Sequence, residues 1–482
     1  MDIPHDAPPQ AGLRLWSLRD DVIVDVDPAT DAATLITRWG DIGVDVSSPV
    51  IRECLDRMTL GPVALPHVTG ADVPEVTELL GRLHSCVVRS MDIDDLAGPL
   101  LSVVPISERA TFRLPKVRAT DLVRLSRFAA MRTSGNELVL ESPLAHHRVV
   151  LHRALAGTVA GALGRTGTVT DVAADLGMTT PLVAEIVAHL VAGGMVVVGT
   201  PDGQFAEDLD PRLVQWSHHD LAFHVRSRLG RHDEPIGATY RHVGRIPPLP
   251  AVKPAPDGAR FPLPRPEIDA PPAGGASLTE TIERRRSFRT FAAERLTAAQ
   301  LGELLFRTAR IRTLLPATGA GGVRYMVSDR PYPTSDSLYE IELYVTVEAC
   351  VGLDRGLYHY DPLDHVLTLL SVEPDTVAEL LDTARIMTDA QQRPPVLITM
   401  AARMARLSWV YDGIAYATAV KHVGVLQQTM YLVATAMGLA PCALAAGASD
   451  TAIEALDWPA EVTIGEFVIG LRPRTHGDRS IT

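Results

Sequence analysis

The chain has 482 residues, a formal net charge of -13 and 46% hydrophobic residues, an ordinary globular balance with room for roughly two to four domains. The acidic balance argues against nucleic acid as the main partner, because gripping a phosphate backbone takes an excess of Lys and Arg. No apolar run is long enough to cross a bilayer and no basic-plus-apolar leader opens the chain, so a cytoplasmic protein without a membrane partner is expected.

The polar start, Met1 to Asp6, is expected to fray. Two units of similar layout follow, over 1–115 and 120–205. The first is marked by Val44 to Leu55, the second by Leu176 to Val187. In each a hydroxyl residue precedes proline, and apolar positions then recur at helical spacing. Ser48 and Thr180 read as N-caps, with Pro49 and Pro181 at the first helical position. A short strand precedes each, Val22 to Val26 and Leu138 to Leu140. Thr168 to Gly177 reads as a helix stopped by glycine, then a tight turn, a second helix to about Ala192, and a strand from Met195 to Val198. Helix, turn, helix, strand is a winged-helix layout. The second helix, Pro181 to Ala192, carries Glu185 and no Lys or Arg, so a packing or peptide-docking module is expected rather than a DNA reader.

Cys54, Cys86, Cys350 and Cys442 have no paired spacing, and the histidines form no metal-binding pattern. Free thiols and no metal site are expected. From Arg245 to Gly275 prolines dominate, which reads as an extended linker wrapped on a surface. A new domain is expected from 276, with Ser277 or Thr279 capping a helix through Arg284.

Residues 284–291, Arg-Arg-Arg-Ser-Phe-Arg-Thr-Phe, then place four arginines and two hydroxyls in eight positions of an acidic chain. In extended backbone Arg285, Ser287 and Arg289 project the same way. Guanidinium forks around a hydroxyl suit a phosphate monoester. Three later segments complete the set. Arg330-Pro331-Tyr332-Pro333-Thr334-Ser335-Asp336-Ser337-Leu338-Tyr339 leads into the alternating run Ile341 to Val347. Gly424 to Leu439 is a long apolar helix ending on Gly438-Leu439. Gly465 to Gly470 is a closing strand, followed by Arg472 and Arg474.

In order and spacing these segments resemble the FMN-dependent nitroreductase fold. Residues 219–240, Arg330 to Leu338 and Gly356 to Pro362 resemble the SagB-type thiazoline/oxazoline dehydrogenases within it. The resemblance covers about residues 120–482. It implies an α+β chain, with winged-helix-like units and a family-specific segment over 206–275 in front of an FMN domain over 276–482. It implies an enzyme, an FMN-dependent oxidoreductase that oxidises azoline rings of a ribosomally made peptide to azoles. A cyclodehydratase partner and a homodimer go with it.

On the same ground FMN would be held by Arg285, Arg286, Ser287 and Arg289, with Arg472 and Arg474 as a second cationic wall. Pro333, Thr334, Ser335 and Ser337 would run along the flavin ring, with Gln427, Gly438, Leu439, Ala446 and Gly447 near its other face. The family commonly has glycines where this chain has Ser335 and Asp336. A Lys-Tyr pair moves the proton in many relatives; here Tyr411 is present, but Val410 stands in the lysine's place. Tyr411 with Lys421 or His422 is then the expected catalytic group, and Tyr332 the tyrosine best placed to stack on the ring. A small-molecule nitroreductase using NAD(P)H and a non-catalytic flavoprotein scaffold are the competing readings.

Overall fold

The computed structural model describes residues 12–27, 29–65, 74–93, 98–269, 276–445, 456 and 460–473. Met1 to Asp6, Ala446, Gly447 and Arg474 lie outside them. The chain forms two compact units, Met1–Glu234 and Pro235–Thr482. Among the described residues no single helix is long and apolar enough to cross a membrane.

The first unit repeats one topology. Leu13–Leu18 is followed by a meander of Ile23–Asp27, Ala32–Thr37 and Gly40–Asp45, the helix Pro49–Leu60, the helix Pro74–Arg82 and the strand Val87–Asp92, which pairs back on Leu13–Leu18. Leu122–Leu125 then precedes a meander of Ala130–Ser134, Glu137–Glu141 and His147–Leu151. The helices Ala154–Ala162, Val169–Leu176 and Thr180–Ala192 and the strand Val196–Val198 follow, and that strand pairs back on Leu122–Leu125. Even the small bridge Trp16 to Val63 has its counterpart in Val123 to Gly167.

This corrects the equivalence drawn from the two hydroxyl-proline signals. By position after its meander, Pro49–Leu60 corresponds to Ala154–Ala162, and Thr180–Ala192 corresponds to Pro74–Arg82. The residue capping Thr180–Ala192 is Thr179 rather than Thr180, and neither Thr179 nor Ser48 makes a side-chain cap bond. The helix before it has a full capping box: Thr168 and Asp171 exchange bonds, and Gly177 stops it at φ 64°.

In the second unit seven antiparallel strands stand in the order Arg260–Pro262, Val366–Ser371, Gly356–Asp361, Ile341–Val347, Val396–Arg403, Glu461–Leu471, Leu439–Leu444. The helices Ala298–Ala309 and Ala415–Ala436 pack through Leu301, Leu304, Leu305, Leu426 and Met430 against Leu343, Val345, Ile398 and Phe467 on one face. The helix Pro374–Met387 covers the other, through Val377, Leu380 and Leu381. The proline-rich stretch contributes the edge strand Arg260–Pro262, and its carbonyls at Ile246, Leu249 and Pro250 accept bonds from Trp409, Arg406 and Arg403.

The alternating strand Ile341–Val347 is buried at all seven positions. Its polar face is satisfied from within the sheet. Glu342 lies 3.1 Å from His359 Nε2 and 3.3 Å from Arg403 Nη1, with its side chain 2% exposed. Burial pushes the Glu342 carboxyl up, but the bond to His359 and the charges of His359 and Arg403 outweigh it and hold it at about 2. A folded value below the unfolded one gives stability that is complete above about pH 4.5 and is lost as pH falls toward 2. The thermal midpoint of the wild type should therefore fall more steeply between pH 5 and 2 than that of Glu342→Gln. Parallel curves would refute the assignment.

Candidate active site

The basic cluster begins where a helix ends. Ser277 caps Leu278–Arg284 by accepting the Glu280 N–H, and at Arg285 the backbone leaves the helix (φ -54°, ψ 126°). Two backbone bonds, Phe288 N–H to Pro441 O and Ala292 N–H to Leu471 O, both 2.9 Å, then fasten the segment along the sheet. Ser287 Oγ lies 2.8 Å from the Tyr431 hydroxyl, which accepts the Ala443 N–H at 2.7 Å, and the Arg285 guanidinium lies over the Tyr431 ring at 5.3 Å. Tyr431, from the long helix, escaped the sequence reading; its signal was a phenol one turn after Gln427.

Ser287 and Arg289 are exposed, and among the described residues neither Arg285 nor Arg289 is paired with a carboxylate. Of the other three arginines expected here, the two among the described residues are engaged elsewhere. Arg286 donates to the carbonyls of Glu283 and Arg285, closing its own helix. Arg472 donates to Leu439 O and Thr435 O at the end of the long helix. Gln427 Nε2 donates to Glu466 O. Gly438 stops the long helix at φ 71°, and Leu439 is buried in the core.

The proposed ring loop is strained. Asp336, Ser337 and Tyr339 have φ of 50°, 54° and 46°, a region that favours glycine and that bulky residues avoid. One of these, Asp336, is a position where the family resemblance implies glycine. The loop is held in two ways. The Ser335 N–H donates to His422 Nε2 at 2.8 Å, while His422 Nδ1 lies 2.8 Å from Glu340 Oε1. Since Nε2 accepts that N–H, the ring proton sits on Nδ1 and points at Glu340. The Tyr411 hydroxyl donates to Asp336 Oδ2 at 2.6 Å. Burial and the bond to Asp336 push the Tyr411 phenol well above its ordinary range.

Thr334 Oγ1 accepts the Tyr339 N–H, and Pro333 is exposed. Tyr332, expected to stack on the ring, is instead 1% exposed and packs edge-on against Tyr339 in the core. Val410 is buried beside Trp409 and Leu407. Lys421 is exposed, one residue from buried His422 and so about 100° away around the helix. Among the described residues no hydrogen bond or ion pair joins it to Tyr411.

Residues 282–470 match the nitroreductase family, and residues 123–233 match the cyanobactin oxidase ThcOx. The chain carries a ThcOx-type region followed by a nitroreductase-family domain. MJ1384 of Methanocaldococcus jannaschii, described as a nitroreductase, is 27% identical over 173 residues, 36% of this chain and 80% of that protein. Among solved structures, a Ralstonia eutropha protein described as a nitroreductase is 22% identical, covering 50% of this chain and 100% of its own, with a TM-score of 0.36. A chain of the E. coli microcin synthetase McbBCD complex with truncated pro-MccB17 bound is 19% identical, covering 52% of this chain and 90% of its own, with a TM-score of 0.33.

The nitroreductase-family domain makes this chain an oxidoreductase, and FMN is its cofactor. The residues present fit that group: two guanidiniums without carboxylate partners flank an exposed serine, an arrangement suited to a dianionic phosphate.

The first unit has its own concavity. One face of its six-stranded sheet floors a cavity of about 800 Å³, where Ser90, Ser102 and His152 form a hydrogen-bonded chain of 2.7 and 2.8 Å. Asp233, also lining it, takes Arg148 at 2.7 Å and Arg19 at 3.0 Å.

Proposed function

We propose that this protein is an FMN-dependent azoline dehydrogenase, oxidising thiazoline or oxazoline rings of a ribosomally synthesised peptide to thiazoles or oxazoles. The observation that carries the reading is the union, in one chain, of a ThcOx-type region with a nitroreductase-family domain. Arg285, Ser287 and Arg289 hold the FMN phosphate, and the loop Pro333 to Ser337 lines the ring. Bound there, FMN supplies the two-electron acceptor for the ring's hydride. The protein supplies orientation and the proton-accepting group. The cleft of the first unit engages the peptide, and a cyclodehydratase makes the azolines consumed here.

The proposal includes a homodimer, and the geometry of the long helix supports it. His422 holds the ring loop and Tyr431 touches the phosphate cluster, nine residues apart. That is about two and a half turns and about 13 Å along the axis, so the two clusters occupy opposite flanks of the helix. A second copy, facing the first, can bring one protomer's loop to the other's phosphate cluster.

The test is direct. Purified protein should carry FMN and aromatise a thiazoline-bearing peptide, read by mass spectrometry. Colourless protein that cannot be reconstituted, or yellow protein that reduces nitroaromatics with NAD(P)H and ignores the azoline, would end this reading. The buried Val410 favours one alternative, a flavoprotein scaffold; for a scaffold, product would form in the pathway without bound FMN.

A further inference from the structure

We propose that Asp336 is the catalytic base of this site and that Tyr411 is the residue that positions it. The inference rests on the azoline-oxidation reading and deepens it. Val410, next to Tyr411, is buried and apolar, so a proton acceptor has to come from elsewhere, and the surroundings of Tyr411 narrow the choice.

Three carboxylates lie on or beside the loop and Tyr411. Glu340 is fully buried and bonded to His422. Asp412 is buried, accepts the Thr239 hydroxyl at 2.7 Å and pairs with Arg241 at 2.7 Å. Asp336 alone of the three is exposed, and the Tyr411 bond to Oδ2 is its one hydrogen bond among the described residues. Its Oδ1 is therefore open to a substrate lying on the loop.

The other candidates fail on chemistry. Both nitrogens of His422 are engaged, one by Glu340 and the other by the Ser335 N–H. Tyr411 keeps its proton at neutral pH, since burial raises its phenol, so it is a donor to the carboxylate rather than a base. Lys421 projects about 100° away from the residue that faces the loop. Asp336 is held at φ 50°, a conformation that Asp tolerates better than most side chains, and one that a glycine would relax.

The step is a proton transfer alone. The C–H bond of the azoline carbon next to the peptide carbonyl breaks, its electron pair stays on the substrate, and the proton forms an O–H bond at Oδ1. Carboxylates perform such abstractions next to a carbonyl when the site holds them in place. Tyr411 keeps the carboxylate turned toward the substrate by occupying the far oxygen.

Deuterium incorporation isolates this step from the redox step. The full-length chain, flavin-free and flavin-loaded, is incubated in D2O with a synthetic peptide bearing one thiazoline. Wild-type protein should exchange the ring proton in both forms. Asp336→Asn and Asp336→Gly should slow exchange by roughly a hundredfold or more, and the flavin-free form reads this loss apart from any change in FMN binding. Tyr411→Phe should lower exchange at saturating peptide without weakening peptide binding. Exchange that is absent in wild type, or equal in wild type and both Asp336 variants, overturns the assignment. Wild-type protein that exchanges the proton but never aromatises the ring overturns the oxidation reading and leaves Asp336 as the base.

Discussion

The double variant Arg285→Ala/Arg289→Ala should be folded and colourless. Neither guanidinium takes part in an ion pair with a carboxylate among the described residues, and Arg289 is exposed, so folding loses little when both are removed. Flavin binding loses a great deal. A hydrogen bond to a charged group contributes about 1.5–3 kcal/mol, so two such contacts to a phosphate amount to roughly a hundred- to ten-thousandfold in affinity. Flavin absorbance per protein, with a titration of added FMN, measures the loss directly. Arg286→Ala is the matched control, because that side chain closes its own helix through Glu283 and Arg285 carbonyls. It should stay yellow. Equal loss in both variants would mean that the cluster acts through general positive potential, with no specific seat for the phosphate.

What the sequence made legible, and what it hid, divides along contact distance. The helix over 169–176 is readable because all its signals are local: Thr168 and Asp171 close the capping box and Gly177 supplies the stop. The basic octapeptide is readable for the same reason. The alternation of Ile341–Val347 does not tell where its polar members go: both its faces are covered by helices, and Glu342 is accommodated only because His359 and Arg403 arrive from neighbouring strands. Tyr332, next to the proposed flavin loop, is expected from the sequence to stack on the ring, whereas topology sends it into the core. The two bonds that hold the loop span 75 and 87 residues, and no local pattern announces a partner at that distance. From the sequence, Asp336 and Ser335 read as a departure from the glycines that the resemblance implies, one that makes the backbone less permissive. In the fold, Asp336 meets Tyr411 and the backbone at Ser335 meets His422, so the departure comes with partners.

The second large effect is expected at His422. Glu340 is 0% exposed, its Oε1 is bonded to the histidine, and its Oε2 has no hydrogen-bond partner among the described residues. In His422→Leu that carboxylate is buried without its hydrogen-bond donor, which costs about 1.5–3 kcal/mol. For a unit of this size that lowers the thermal midpoint by roughly 3–12 °C. The double variant Glu340→Leu/His422→Leu removes the charge along with its partner, and apolar replacement of a buried pair is often neutral, so most of the lost stability should return. Flavin affinity should not return with it. The histidine also accepts the Ser335 N–H, and without that bond a loop with Asp336, Ser337 and Tyr339 in the left-handed region loses one of the two bonds that hold it. Calorimetry of the full-length variants and FMN titration therefore separate two roles of one side chain: stability recovers in the double variant and the flavin site does not. A His422→Leu protein as stable as the wild type would show that the pair contributes no net stability. A double variant that binds FMN normally would show that the loop holds its shape without the histidine.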